Sequence, residues 1–306
     1  MTLFAIVLAL ALDQAKPLPA ARVEALLGSF GQFLESRFNA GEHHHGAAAW
    51  AVGAALPAGV VLVLQLVLDY ANPLLYFLFC VAVLYLTMGF RQFSHFFTDI
   101  HIALRMGELD NARKLLAEWR CGATERLGST EVARVAIENA LVSSHRHVFA
   151  PLLWFAVFGP AGALLYRLAL SFRNQWGDRR DTEFGDFGAF AARAFALIDW
   201  LPVRATAVAF AVVGDFEDAV YCWRNQARRW ADEGAGILLA SGAGAIGVRL
   251  GMPLRDDGGM ADRPELGVGD EADADFMQST IGLVWRTLVV AVFLLALLWV
   301  ASWVGS

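Results

Sequence analysis

Six residues, Asp199-Trp200-Leu201-Pro202-Val203-Arg204, limit what this chain can become. They set a carboxylate, a proline and a guanidinium at the mouth of an apolar run, Leu201 to Gly214. That run is too short, because a helix needs about 20 residues to cross a bilayer. Extending it back to Ala194 reaches the length but takes in both charges. Each costs about 2.5–3.5 kcal/mol at a bilayer centre. The segment is therefore not expected to cross lipid alone. It needs protein around Asp199 and Arg204, either as an ion pair at a helix start or as a buried polar site. Arg204 is expected to be buried and paired with Asp199 or with Glu138.

The rest of the chain makes lipid the natural surrounding. Of its 306 residues, 57% are hydrophobic and 18% charged, against about 25% charged in soluble domains. The bilayer is thus the first expected partner, and the net charge of −6 offers nothing to a nucleic acid. Cys80, Cys121 and Cys222 are far apart and form no CxxC, so neither a zinc ribbon nor a disulfide framework is indicated. No cofactor is assigned.

Met1 to Leu12 is apolar but short, and is expected as an interfacial or buried first helix. Ala20 to Phe38 carries apolar residues at helical spacing, which predicts an amphipathic helix. Glu42-His43-His44-His45 follows. Adjacent imidazoles do not converge on one ion without help from the fold, so a solvated loop is expected and no metal is assigned. Ala47 to Leu68 is long enough to span, Asp69 to Pro73 is a turn, and Leu74 to Phe90 returns as a hairpin. Residues 91–147 read as a helical section: Arg91–Met106, Leu109–Trp119, and a helix capped by Ser129 or Thr130 running to Val142. Its eight Arg and Lys place it in the cytoplasm.

Residues 148–251 form the membrane core. Val148 to Ser171 is either one kinked span or two half-length helices with Gly159-Pro160 at the tip. Re-entrant backbone of that kind is tolerated only inside protein. Gly242, Gly244 and Gly247 formally match GxGxxG, but no strand precedes them. Close helix packing is the better reading. Met252 to Phe276 is acidic and predicted to be a flexible linker. Thr287 to Val304 is a clean closing span within 277–306. The fold class is all-α: a polytopic integral membrane helical bundle with amphipathic and re-entrant helices, preceded by the hairpin region 1–90.

Four stretches carry a resemblance: GELDNARKLL, AIENALVSSHRHVFAPLLWFAVFGPAGALLYRL, DWLPVRATA and AGAIGVRLG. Together, over roughly Ser94 to Gly251, they resemble the CobD/CbiB family. Its enzymes are adenosylcobinamide-phosphate synthases, which form an amide bond in cobalamin assembly. MTLF, DWLPVR and GLVWR before the last span also resemble the AmpE branch, linked to β-lactamase induction and envelope signalling. The enzymes' acidic patch, an EN pair and then a DG pair, falls here on Val142-Ser143 and Arg146-His147. Their NTLDSM falls on Leu170 to Gln175, with Arg173 where an acid would stand. Their DD pair falls on Phe195-Ala196, and their HPSPNAGW on Trp230 to Ile237. Glu138, Arg193 and Arg204 match.

Amide formation from a phosphorylated amino alcohol needs cation ligands and an acid–base pair, and those carboxylates are replaced. The resemblance therefore implies a non-catalytic, AmpE-like signalling or envelope modulator of the bacterial inner membrane, leaning against an enzyme. The alternative is an adenosylcobinamide-phosphate synthase-like enzyme. If the family's core is kept, Glu138, Asn139, Arg146, Arg167, Arg173, Arg193, Asp199 and Arg204 converge as a cationic pocket. It would hold an anionic small molecule or serve a membrane-protein partner. A homo-oligomer is left open.

The Arg content of 91–147, 172–200 and 215–234 places all three in the cytoplasm, with Ser306 on the far side. Reporter fusions at Gly122 and Gly177 are expected to report cytoplasm and one at Ser306 periplasm. Periplasmic activity at Gly177 overturns the re-entrant arrangement.

Overall fold

Helices dominate the described residues. The computed structural model describes residues 2–16, 20–120, 122, 124–177, 179, 184–256, 259–261 and 263–304. Ser306 lies outside them. The helices run α1 (Thr2–Ala15), α2 (Ala20–Phe38), α3 (His43–Trp50), α4 (Leu56–Ala71) and α5 (Pro73–Thr87). Then come α6 (Phe90–Arg105), α7 (Leu109–Arg120), α8 (Ser129–Ser144), α9 (Ala150–Phe158) and α10 (Pro160–Phe172). The last are α11 (Ala189–Val213), α12 (Phe216–Gln226), α13 (Glu233–Ile246) and α14 (Ala274–Val304). Five short strands lie between α13 and α14: β1 (Val248–Gly251), β2 (Leu254–Asp256), β3 (Gly259–Ala261), β4 (Glu265–Leu266) and β5 (Asp270–Glu271).

Among the described residues, three helical stretches are long and apolar enough, by length and composition, to cross a membrane: His43–Ala71, Ala189–Val213 and Ala274–Leu298. The first joins α3 to α4 through a π-helical turn at Ala51–Ala55. On its outer face Val60, Val63 and Val67 are exposed, an apolar surface that lipid would cover. The predicted return arm is α5, whose 15 residues fall short of the span minimum of about 17. Asn72 makes the turn, its side chain accepting from the amides of Leu74 and Leu75. Pro202 lies inside α11, so the organising stretch is one continuous helix of 25 residues rather than a short run. The last helix starts well before Thr287.

The chain divides into two compact units, one of residues 1–90 and 146–202, the other of 91–145 and 203–306. In the first, aromatic rings fill the core. Phe172 stacks on Trp176 at 4.4 Å, and Phe187 meets Trp176 edge-on at 5.2 Å. Gly159 breaks α9 from α10 with φ +67°, a value glycine adopts without strain. The two helices then fold back on each other so closely that a Cβ on Gly162 would stand 2.4 Å from the carbonyl oxygen of Trp154. Of the two readings of 148–171, the structure has the half-length pair.

The second unit holds α6, α7 and α8 close to their predicted positions. The cap differs: Gly128 precedes the first turn of α8, and its amide donates to the Glu131 carboxylate at 2.8 Å. Ser129 already belongs to the helix. Helix α13 is lined with glycine for packing. A Cβ on Gly242 would meet Leu141 at 2.8 Å, and one on Gly244 the carbonyl of Asp218 at 2.5 Å. The GxGxxG match is thus a helix surface.

The described residues of 252–276 include paired strands where a flexible linker was predicted. β1 pairs antiparallel with β4 and parallel with β5, and β2 pairs with β3. Leu254, Leu266 and Ala272 are buried. Few apolar residues suffice here because backbone pairing and a buried carboxylate hold the segment.

Gly244→Val is expected to overpack the contact with α12 and cost about 1–3 kcal/mol. Gly28→Ala on α2, where nothing lies within 4 Å, is expected to leave stability level or slightly raised. Thermal unfolding of both variants in detergent checks the contrast.

Candidate functional site

In the second unit the polar architecture starts at α8. The helix is buried along most of its length, so Glu138 arrives in the interior, 7% exposed. Arg263 meets it with two nitrogens, Nη1 to Oε2 at 2.8 Å and Nη2 to Oε1 at 3.2 Å. The Gly251 amide donates to the same carboxylate at 2.8 Å. Arg263 also donates to the carbonyls of Gly251 and Met252, and its guanidinium lies over the Trp230 ring at 5.4 Å. Arg134, one turn before Glu138, is buried as well. Its Nη1 touches the Met252 sulfur at 3.3 Å, while Nε and Nη2 have no hydrogen-bond partner. Burial pulls this guanidinium below its ordinary pKa, and the Glu138 charge opposes that.

A cavity of about 660 Å³ opens in the same unit. Arg204, Arg224, Arg228 and Glu233 form its polar wall, and Phe216 and Trp223 are among the apolar residues facing them. The Arg204 side chain is 31% exposed and lies 3.9 Å from Glu233. Asp232 accepts from the amides of Gly234 and Ala235 and starts α13 there, which sets Glu233 on the rim. Three guanidiniums against one carboxylate suit an anion, and the aromatic side suits an apolar body attached to it. Nearby, His145 Nδ1 and Thr206 Oγ1 are 2.9 Å apart in the interior. The Ser241 hydroxyl donates to the Ala207 carbonyl at 2.8 Å, which fixes the second half of α11.

The first unit holds its own polar group. Tyr166 donates to Asp199 at 3.0 Å with both residues buried. Arg167 Nη1 lies 2.7 Å from His147 Nδ1, and its Nε is buried without a hydrogen-bond partner. Arg146 and Arg167 stand close enough to bear on the Tyr166 phenol electrostatically. Arg173 is half-buried and Arg193 exposed.

The predicted site residues thus fall into two sets. Asp199, Arg146 and Arg167 gather around Tyr166 in one unit. Glu138, Asn139 and Arg204 belong to the other, where Asn139 is half-buried. The expected partnership of Arg204 with Glu138 is corrected: the Glu138 oxygens take Arg263 and Gly251. Arg204 is also less buried than expected, because it lines an open cavity. Sequence reasoning missed Arg263, Arg224, Arg228 and Glu233. An arginine in an otherwise acidic stretch was the available signal for Arg263. The spacing of Arg224 and Arg228, one helical turn apart, was the signal for the cavity wall.

Arg263→Met leaves Glu138 buried without its counter-charge and is expected to cost about 3–5 kcal/mol. The double change Glu138→Leu with Arg263→Met is expected to recover part of it. Thermal unfolding of the purified single and double variants reads the difference.

A family profile described as "CobD/Cbib protein" matches residues 6–284. A protein of Stutzerimonas stutzeri (strain A1501) named "Cobalamin biosynthesis protein CobD" is 36% identical over 295 residues, covering 91% of this chain and 95% of its own length. One of the same name from Chromobacterium violaceum is 37% identical over 214 residues, 70% of this chain and 68% of its own. A third, from Streptococcus sanguinis (strain SK36), is 24% identical over 310 residues, 97% of each chain. No solved structure matches.

Proposed function

Because the chain belongs to the CobD/CbiB family, we propose that it works in cobalamin biosynthesis as an adenosylcobinamide-phosphate synthase-like membrane enzyme. The observation that carries this is the reach of the family match, 6–284, together with relatives named for cobalamin biosynthesis over almost the whole chain. The AmpE-like signalling role, expected from the replaced acids, has no support among those relatives. The inner membrane is the place this reading implies, with several passes.

The cavity in the second unit gives the reaction a physical basis. A phosphorylated amino alcohol brings a dianion and an ammonium. Arg204, Arg224 and Arg228 take the phosphate, since guanidiniums bind phosphate oxygens in pairs. Glu233 stands beside Arg204 and accepts the proton that the ammonium must lose before its nitrogen attacks the activated carbonyl. The nitrogen lone pair forms the new C–N bond, the adduct gives its second N–H proton to water, and the activating group, supplied on the acid substrate, leaves with the electron pair of its bond to the carbonyl carbon. On this reading the acidic patch near residues 142–147 is dispensable because the general base sits on α13.

Expression of the chain in a bacterium lacking adenosylcobinamide-phosphate synthase is expected to restore cobalamin-dependent growth. Arg224→Leu with Arg228→Leu is expected to raise KM for the amino alcohol phosphate without moving the melting temperature. Arg204→Leu is expected to change stability by no more than about 1 kcal/mol, as for an exposed pair, while impairing rescue. Failure of the parent chain to rescue, with membrane insertion intact, overturns the enzyme reading.

A further inference from the structure

We propose that Glu42, His44 and His45 form a binding site for one divalent transition-metal ion, zinc foremost. This does not depend on the cobalamin reading. Each residue offers one ligand atom, and the three atoms lie within 4.8 Å of one another. Glu42 Oε2 is 3.0 Å from His44 Nδ1, and the His44 and His45 rings are 4.0 Å apart. Zinc bonds to nitrogen and oxygen near 2.1 Å put tetrahedral ligand atoms about 3.4 Å apart. Side-chain adjustments of about an ångström close the set.

Adjacency in sequence does not bring such residues together, and here the fold does. The segment is helical from His43, not the loop expected from sequence, and Glu42 precedes its first turn in an extended conformation. The amides of His45 and Gly46 donate to the Glu42 carbonyl, which turns Glu42 back over the start of α3. The approach is pinned from both sides. The Gly41 amide donates to the Asn39 side chain at 2.9 Å, and the Asp186 amide donates to the Gly41 carbonyl at 3.1 Å. Gly46 packs so tightly that a Cβ there would stand 1.9 Å from the Phe187 carbonyl oxygen. The ligands therefore sit on a fixed backbone, which lowers the entropy cost of binding.

The neighbouring imidazole separates this site from a plain histidine run. His43 turns its ring edge-on to Phe190 at 5.8 Å and is not a member of the cluster. His45 keeps a buried Nδ1 with no hydrogen-bond partner, so its ring is not committed at that nitrogen to another protein group. Two imidazoles and one carboxylate suit zinc and its first-row neighbours, and three protein ligands leave a position for water.

The test uses the full chain in detergent, purified without a polyhistidine tag, stripped with chelator, reloaded with Zn2+ and passed through gel filtration. Elemental analysis is expected to find about one zinc per chain. His44→Gln with His45→Gln is expected to lose it, and His43→Gln to keep it. Should the double variant not fold, Glu42→Gln is the second reading, with zinc affinity expected to fall at least tenfold by competition with a chromophoric chelator. Zinc content in the parent no higher than in the double variant overturns the site. So does equal loss in His43→Gln, which would mark an unstructured histidine run, and so does unchanged affinity in Glu42→Gln.

Discussion

A carboxylate taken out of water has to be answered at once, by charge and by hydrogen bonds, and Glu138 sets that demand at the centre of the second unit. Arg263 and the Gly251 amide meet it. The answer comes from a segment short of apolar residues, so the pair does for β1 to β5 what a core does elsewhere. Arg134 adds a second buried cation beside the first. With Glu131 and Glu271 acting on it from farther away, the interior is not left with an unopposed positive charge. A buried pair of this kind adds little net stability but makes the loss of either partner expensive. The segment that follows α13 is thereby tied to one position on α8.

On the proposed function, the chemistry and the scaffold use different arginines. Arg134 is buried, Arg263 is half-buried, and both hold the scaffold. Arg204, Arg224 and Arg228 face an open cavity beside an exposed carboxylate. A phosphate-bearing amine needs both signs of charge within a few ångströms, cations for the phosphate and a base for the ammonium. On that reading Glu233, on the cavity rim beside Arg204, takes the place of the acids that the family resemblance led one to expect near the end of α8.

Helix positions were legible wherever periodicity, a cap or a breaker marked them. α2, α6 and α7 lie within a residue or two of their predicted limits, and Gly159-Pro160 marked the break between α9 and α10. Gly242 and Gly244 were legible as packing residues because no strand preceded them. Several errors concern partners distant in sequence. Arg263 is 125 positions from Glu138, and no local pattern announces such a pair. The acidic composition of 252–276 predicted disorder because composition counts missing apolar residues and cannot count backbone pairing. The same blindness offered Asp199 or Glu138 as the partner of Arg204 and passed over Glu233, its neighbour on the cavity wall. The expected convergence of eight polar residues rested on resemblance; they belong to two compact units.

The boundary between the units falls at Pro202–Val203, within a single helix, and each unit is assembled from two separated stretches of chain. This has a consequence for the ribosome. The first ninety residues emerge without the partners that complete their unit, and wait while residues 91–145 pass. Those in turn cannot close until the chain beyond 203 has been made, at a rate of about 5–20 residues per second. For several seconds the nascent chain carries two half-built units whose apolar faces have no protein cover. The order of synthesis, and not only the final stability, therefore bears on how this chain folds.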